Sequence, residues 1–82
     1  MCDVRVEYVR GVLCELTGVE WGVSVAGDYV WFGRVGGDRS LVLDLGADLV
    51  WVFGVSGECG LDFCDDGQVR GALGSLLVVR IS

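Results

Sequence analysis

Two cysteines and four carboxylates stand within the twelve residues 57–68, GECGLDFCDDGQ. Thiolates and carboxylates bind metal ions, and a pair of thiols can form a redox-active disulfide. A tight turn between two elements is the third interpretation. Metal binding or thiol-redox chemistry is therefore an alternative function of this chain. Its site residues would be Cys59, Cys64, Asp62 and Glu58.

The spacing in this segment departs from the established patterns of both kinds of site. The run DFCDDG aligns with an EF-hand loop, but its third position is Cys64 and its twelfth is Leu73, where calcium needs a bidentate Glu. Four residues separate Cys59 from Cys64, whereas zinc knuckles and thioredoxin-like motifs use two. We therefore expect no cofactor.

A structural interpretation accounts for the same residues. Gly57 and Gly60 permit a tight turn, and Leu61 and Phe63 alternate as a short strand that faces the core. Asp65 then places a carboxylate where the first turn of a helix favours negative charge. Cys14 and Cys64 become small, free, buried side chains, which is typical of an intracellular, reducing compartment.

Missing residue types exclude much of enzyme chemistry. The chain has no His and no Lys, so it cannot build a Ser-His-Asp triad, a Walker A loop or a Schiff base. No apolar run approaches the roughly 18 residues that span a bilayer, and we expect no membrane contact. These exclusions predict a protein that is not an enzyme.

Apolar periodicity predicts a helix at each end. In residues 2–17, Cys2, Val6, Val9, Leu13 and Leu16 fall on one stripe with Val12 beside it, and Gly18 suits a helix end. In residues 65–77, Asp65 and Gln68 resemble a capping box. The stripe that follows comprises Val69, Ala72, Leu73, Leu76 and Leu77.

Between the helices the period changes to two, which is typical of strands. The runs VEWGVSV, YVWFGRV, RSLVLDL and LVWVFGV are separated by short turns, which favour an antiparallel meander. Residues 1–82 are thus predicted to form a single small α+β domain, a two-layer sandwich. Both helices pack on one face of four or five strands.

The negative charge is concentrated in one part of the chain. Residues 40–69 hold six acids and no Arg, which equals the whole net charge of −6. Such a surface suits a basic protein partner and disfavours direct binding to nucleic acid phosphate. An acidic mimic of nucleic acid, which would inhibit a basic DNA- or RNA-binding protein, is therefore a second alternative.

The sheet has apolar residues for both of its faces. If Trp21, the leucines, Trp51 and Phe53 face the helices, a second apolar surface remains. We expect a non-catalytic protein–protein interaction module or a small subunit of an assembly, whose partner is a second copy or another chain. The predicted contact residues are Val30, Phe32, Val42, Val50 and Val52, bordered by Asp44, Asp48 and Asp62.

Overall fold

Two helices flank a five-stranded antiparallel sheet in a computed structural model that describes residues 4–34, 40–52 and 57–81. The predicted α+β fold, with helices packed against an antiparallel meander, is confirmed. Strand order in the sheet equals strand order in the chain. The elements are α1 (Val4–Thr17), β1 (Trp21–Ala26), β2 (Tyr29–Arg34), β3 (Ser40–Asp44), β4 (Leu49–Val52), β5 (Glu58–Gly60) and α2 (Asp66–Ile81).

Helix α1 follows its predicted stripe and stops at the predicted glycine. Gly18 has a φ of +71°, and its amide donates to the Cys14 carbonyl at 2.8 Å, which closes the last turn. Leu16 departs from the prediction because it is 43% exposed, beside the exposed connection to β1. Cys2 lies outside the described residues. The buried side chains of α1 are Val6, Val9, Val12 and Leu13.

Helix α2 starts as the capping pattern predicts. The Gln68 amide donates to Asp65 Oδ1 at 3.2 Å. The Gln68 side chain does not return to Asp65: its Oε1 accepts from the Asp62 amide and its Nε2 donates to the Gly60 carbonyl, both at 2.7 Å. Gln68 therefore ties the helix start to β5. The predicted stripe is confirmed, with Val69, Leu73, Leu76 and Leu77 buried.

One contiguous core lies between the helices and one face of the sheet. Its sheet side is built from Trp21, Val30, Phe32, Leu41, Leu43, Val50 and Val52, and none of these side chains is more than 1% exposed. Full burial of each such side chain contributes about 1.5 to 3 kcal/mol.

Four of the predicted contact residues are part of this core, so their placement on an outer surface was wrong. In an antiparallel sheet, directly paired residues share a face. Leu41 and Leu43 face the helices as predicted, so the residues paired with them on β2 and β4 must face the helices too. These paired residues are Val30, Phe32, Val50 and Val52.

Trp51 was also placed on the wrong face. Side chains alternate along a strand, so Trp51 points away from the helices because Val50 and Val52 point toward them. The expectation for Phe53 falls on a residue outside the described part of the chain. Val42, paired with Trp51, keeps its predicted place on the opposite face.

The fifth strand lies earlier than predicted. It comprises Glu58–Gly60, with Cys59 paired to Val50, whereas Leu61 and Phe63 follow the strand. Leu61 still faces the core because its amide donates to the Asp48 carbonyl at 2.8 Å and extends the alternation by two residues beyond Cys59. Gly60 is therefore a strand residue and not a turn.

Candidate interaction surface on the open sheet face

The sheet face that points away from the helices is called the open face here. The register brings side chains from all five strands into rows across it. One row is Ser24, Trp31, Val42, Trp51 and Glu58. The next row is Ala26, Tyr29, Asp44, Leu49 and Gly60.

Aromatic rings dominate the centre of the open face. Trp31 and Trp51 flank Val42 on either side, and Val42 is only 2% exposed. The rings of Tyr29 and Trp51 meet edge to face, with centroids 6.0 Å apart and an interplanar angle of 80°. Together with Ala26, these residues line a shallow groove of about 410 Å³.

A second depression adjoins this groove on the β1 side. Gly22 and Gly33 are directly paired, so neither strand places a side chain beside Trp31 at that point. The depression measures about 350 Å³ and is also lined by Ser24 and Arg34. One side of Trp31 therefore borders a strip of glycine backbone.

Carboxylates stand beside the aromatic residues. Glu58 is paired with Trp51, and Asp44 is paired with both Tyr29 and Leu49, so both acids project from the open face. One Asp44 oxygen accepts a hydrogen bond from the Gly46 amide at 3.0 Å. The arrangement combines apolar ring faces with negative charge, which is the combination that binds cations.

The other predicted acids have partners within the chain. Arg5 Nη1 lies 2.6 Å from Asp48 Oδ1 and donates to the Leu45 carbonyl at 2.8 Å, so Arg5 ties the β3–β4 turn to α1. Asp48 takes a φ of +51° in that turn. Asp62 accepts from the Cys64 amide at 3.0 Å, in the connection between β5 and α2. Of the three predicted acids, Asp44 alone belongs to the open face.

The four candidate metal ligands do not form a group. Glu58 projects from the open face, whereas its neighbour Cys59 points to the core side and is half-buried. Cys64, which the sequence predicts to be buried, is instead exposed in the turn before α2. Among residues 4–34, 40–52 and 57–81, no set of three or more Cys, Asp or Glu side chains is arranged to hold a metal ion.

Sequence reasoning missed Tyr29 and Trp31 and placed Trp51 inside. The signal that could have found them is the two-residue turn between β1 and β2, which pairs Val25 with Val30. Once Trp21 is placed inside, period two places Val25 inside, and the pairing then places Val30 inside as well. The alternate residues of β2 are left on the open face.

No helix in the described residues is long and apolar enough to cross a membrane. Comparisons of the chain with protein-family models, with curated proteins and with solved structures found no match. The candidate site is therefore defined by the geometry of the open face alone.

Proposed function

We propose that this chain is a non-catalytic interaction module that binds a basic segment of another protein on its open face. The observation that carries the proposal is the grouping of Tyr29, Trp31 and Trp51 with the carboxylates of Asp44 and Glu58 directly beside them. The absence of His and Lys from the sequence supports a binding role over a catalytic one.

The aromatic groove supplies the attractive surface. A guanidinium or ammonium group over an indole face gains about 0.5 to 1 kcal/mol when exposed and about 2 when desolvated. Trp31 and Trp51 stand on opposite sides of Val42, so an extended segment that crosses the strands can contact both rings. Its aliphatic stems would cover the apolar floor of the groove.

The carboxylates supply the selectivity for positive charge. Glu58 on β5 lies beside Trp51, and Asp44 on β3 lies beside Tyr29. No Arg lies between residues 40 and 69. A phosphate backbone would be repelled by the same charges. An arginine-rich protein segment is therefore the occupant that this surface fits.

The probe is a nine-residue peptide of alternating Arg and Gly, compared with the same peptide carrying citrulline in place of Arg. We expect a dissociation constant of roughly 10 to 500 μM, weakened by added salt, and no binding of the uncharged peptide. Failure of the Arg peptide to bind at millimolar concentration contradicts the proposal.

Two substitutions test the two parts of the surface. Trp51→Ala and Glu58→Gln should each weaken binding about 3- to 10-fold. Glu7→Gln, an exposed acid on α1, is the matched control and should leave binding unchanged. If Glu58→Gln weakens peptide binding and Trp51→Ala does not, the aromatic groove is not the binding surface. That result would favour an acidic mimic of nucleic acid instead.

A further inference from the structure

Strand β1 forms one edge of the sheet. Among the described strands it pairs with β2 alone, and after Trp21 all of its residues are exposed. Edge strands of monomeric proteins are usually protected by charge, proline or a bulge. The sequence of β1, WGVSVA, contains neither charge nor proline, and its pairing with β2 runs without a bulge.

The backbone of this edge has groups directed away from the sheet. Ala26 and Tyr29 flank a two-residue turn and form a hydrogen-bonded pair, so hydrogen-bonded and non-hydrogen-bonded pairs alternate from there. The NH and CO groups of Trp21, Val23 and Val25 therefore point outward. Arg10 Nε donates to the Trp21 carbonyl at 3.0 Å, and that oxygen retains a second lone pair.

Apolar side chains collect along the same edge. Val23 is 38% exposed and Val25 is 64% exposed, although both lie on the face that carries the core. Leu16 and Val19, just before β1, are 43% and 44% exposed. Four of the six large apolar side chains exposed in the described residues thus lie between residues 16 and 25.

The local charge balance at β1 permits a second copy of this chain as the occupant of the edge. Two chains of net charge −6 repel each other, but the six acids responsible lie in residues 40–69, from β3 onward. The charged groups nearest β1 balance: Glu20 and Asp28 flank it, Arg10 contacts Trp21, and Arg34 is paired with Trp21. Because the charges around β1 balance, an identical chain can approach this edge without net electrostatic repulsion.

We propose that two copies pair β1 with β1 in antiparallel orientation about a two-fold axis at Val23. This register places Val23 opposite Val23 and Trp21 opposite Val25, so the outward backbone groups of all three residues acquire partners. Glu20 lies opposite Ala26, which avoids the like-charge contact with Asp28 that a two-fold axis one residue further along, at Ser24, would create. Two five-stranded sheets become one of ten strands.

Sedimentation of the reduced protein at several concentrations tests the pairing. We expect a monomer–dimer equilibrium, and Val25→Asp should raise the dissociation constant of the dimer at least about 10-fold. Val4→Asp, at another exposed valine, is the matched control and should change the dissociation constant of the dimer less than about twofold. Circular dichroism checks that each variant folds, and Val23→Asp substitutes for Val25→Asp if that variant does not. A monomer at all concentrations overturns the proposal.

Cysteine cross-linking tests the register. The axis at Val23 places Gly22 of one copy opposite Ser24 of the other in a non-hydrogen-bonded pair, with Cα atoms about 4.5 Å apart and within disulfide reach. A Cβ at Gly22 would approach no atom closer than 3.7 Å, so Gly22→Cys is tolerated.

On mild oxidation, a mixture of Gly22→Cys and Ser24→Cys chains should form cross-linked dimers faster than either variant alone. Peptide mass analysis should identify the linkage between positions 22 and 24. Ser75→Cys, at an exposed serine of α2, controls for random collisions. A mixture that cross-links no faster than its separate components overturns the proposed axis.

Discussion

The hydroxyl of Tyr8 on α1 donates a hydrogen bond to the carboxylate of Asp66, the first residue of α2. Arg70 strengthens this junction: its Nε donates to Asp66 Oδ2 at 2.9 Å, and its Nη1 lies 2.6 Å from Glu15 Oε2 on α1. The Tyr8 hydrogen bond, followed by that of Arg70, lowers the pKa of Asp66 below its ordinary value of 3.8.

Tyr8→Phe should therefore reduce stability in a pH-dependent manner. Because the folded pKa of Asp66 is lowered, its contribution to stability is complete above the ordinary value of 3.8 and is lost as pH falls through the folded pKa. The difference in the free energy of unfolding between the two proteins should be largest near neutral pH and shrink in acid. Urea denaturation at several pH values measures it. A difference that stays constant down to about pH 2 would contradict this linkage.

The indole of Trp21 should depend on Thr17. Trp21 is 1% exposed, and its Nε1 donates to Thr17 Oγ1 at 2.8 Å. Thr17→Val leaves that donor without its partner and should cost about 1 to 3 kcal/mol. Thr17→Ser retains the oxygen and is the control. Equal unfolding free energies for the two variants would show that the hydrogen bond contributes nothing.

The two faces of β2 should respond differently to truncation. Phe32→Ala removes a fully buried ring and should cost about 3 to 5 kcal/mol. Tyr29→Ala, on the open face of the same strand at 46% exposure, should cost about 1 kcal/mol through its contact with Trp51. Chemical denaturation compares them. Similar losses would refute the assignment of the faces.

The described thiols should differ in their rates of alkylation. Cys64 is exposed, whereas Cys14 and Cys59 are half-buried against the core. Under native conditions a maleimide should therefore label Cys64 before the other two, and Cys64→Ser should remove that early product. Peptide mass mapping follows each site separately. Early labelling of Cys59 would contradict its place against the core.

The sequence predicted where the helices and strands lie better than it predicted which strand residues face the core. Both helices have a single apolar stripe, so one spacing was enough to identify them. The run YVWFGR of β2 is apolar on both sides, and alternation could not decide whether Phe32 or Trp31 faces the core. Pairing across the sheet decides that choice, and pairing is a property of two strands.

The position of β5 and the contacts of Asp48 and Asp66 were outside the reach of sequence reasoning. β5 is three residues long, too short to show a period of its own. Arg5 and Asp48 are 43 positions apart, and Tyr8 and Asp66 are 58 apart. Only the packing of α1 beside both the β3–β4 turn and α2 brings these pairs together.

Because the strands follow one another in the sheet as they do in the chain, each hairpin can form by closing a short loop, at a small cost in chain entropy. We therefore expect the contacts between the two helices, which close the longest loop, to form late in folding. Substitutions at Gly27, in the β1–β2 turn, should then slow refolding, whereas Tyr8→Phe should mainly speed unfolding.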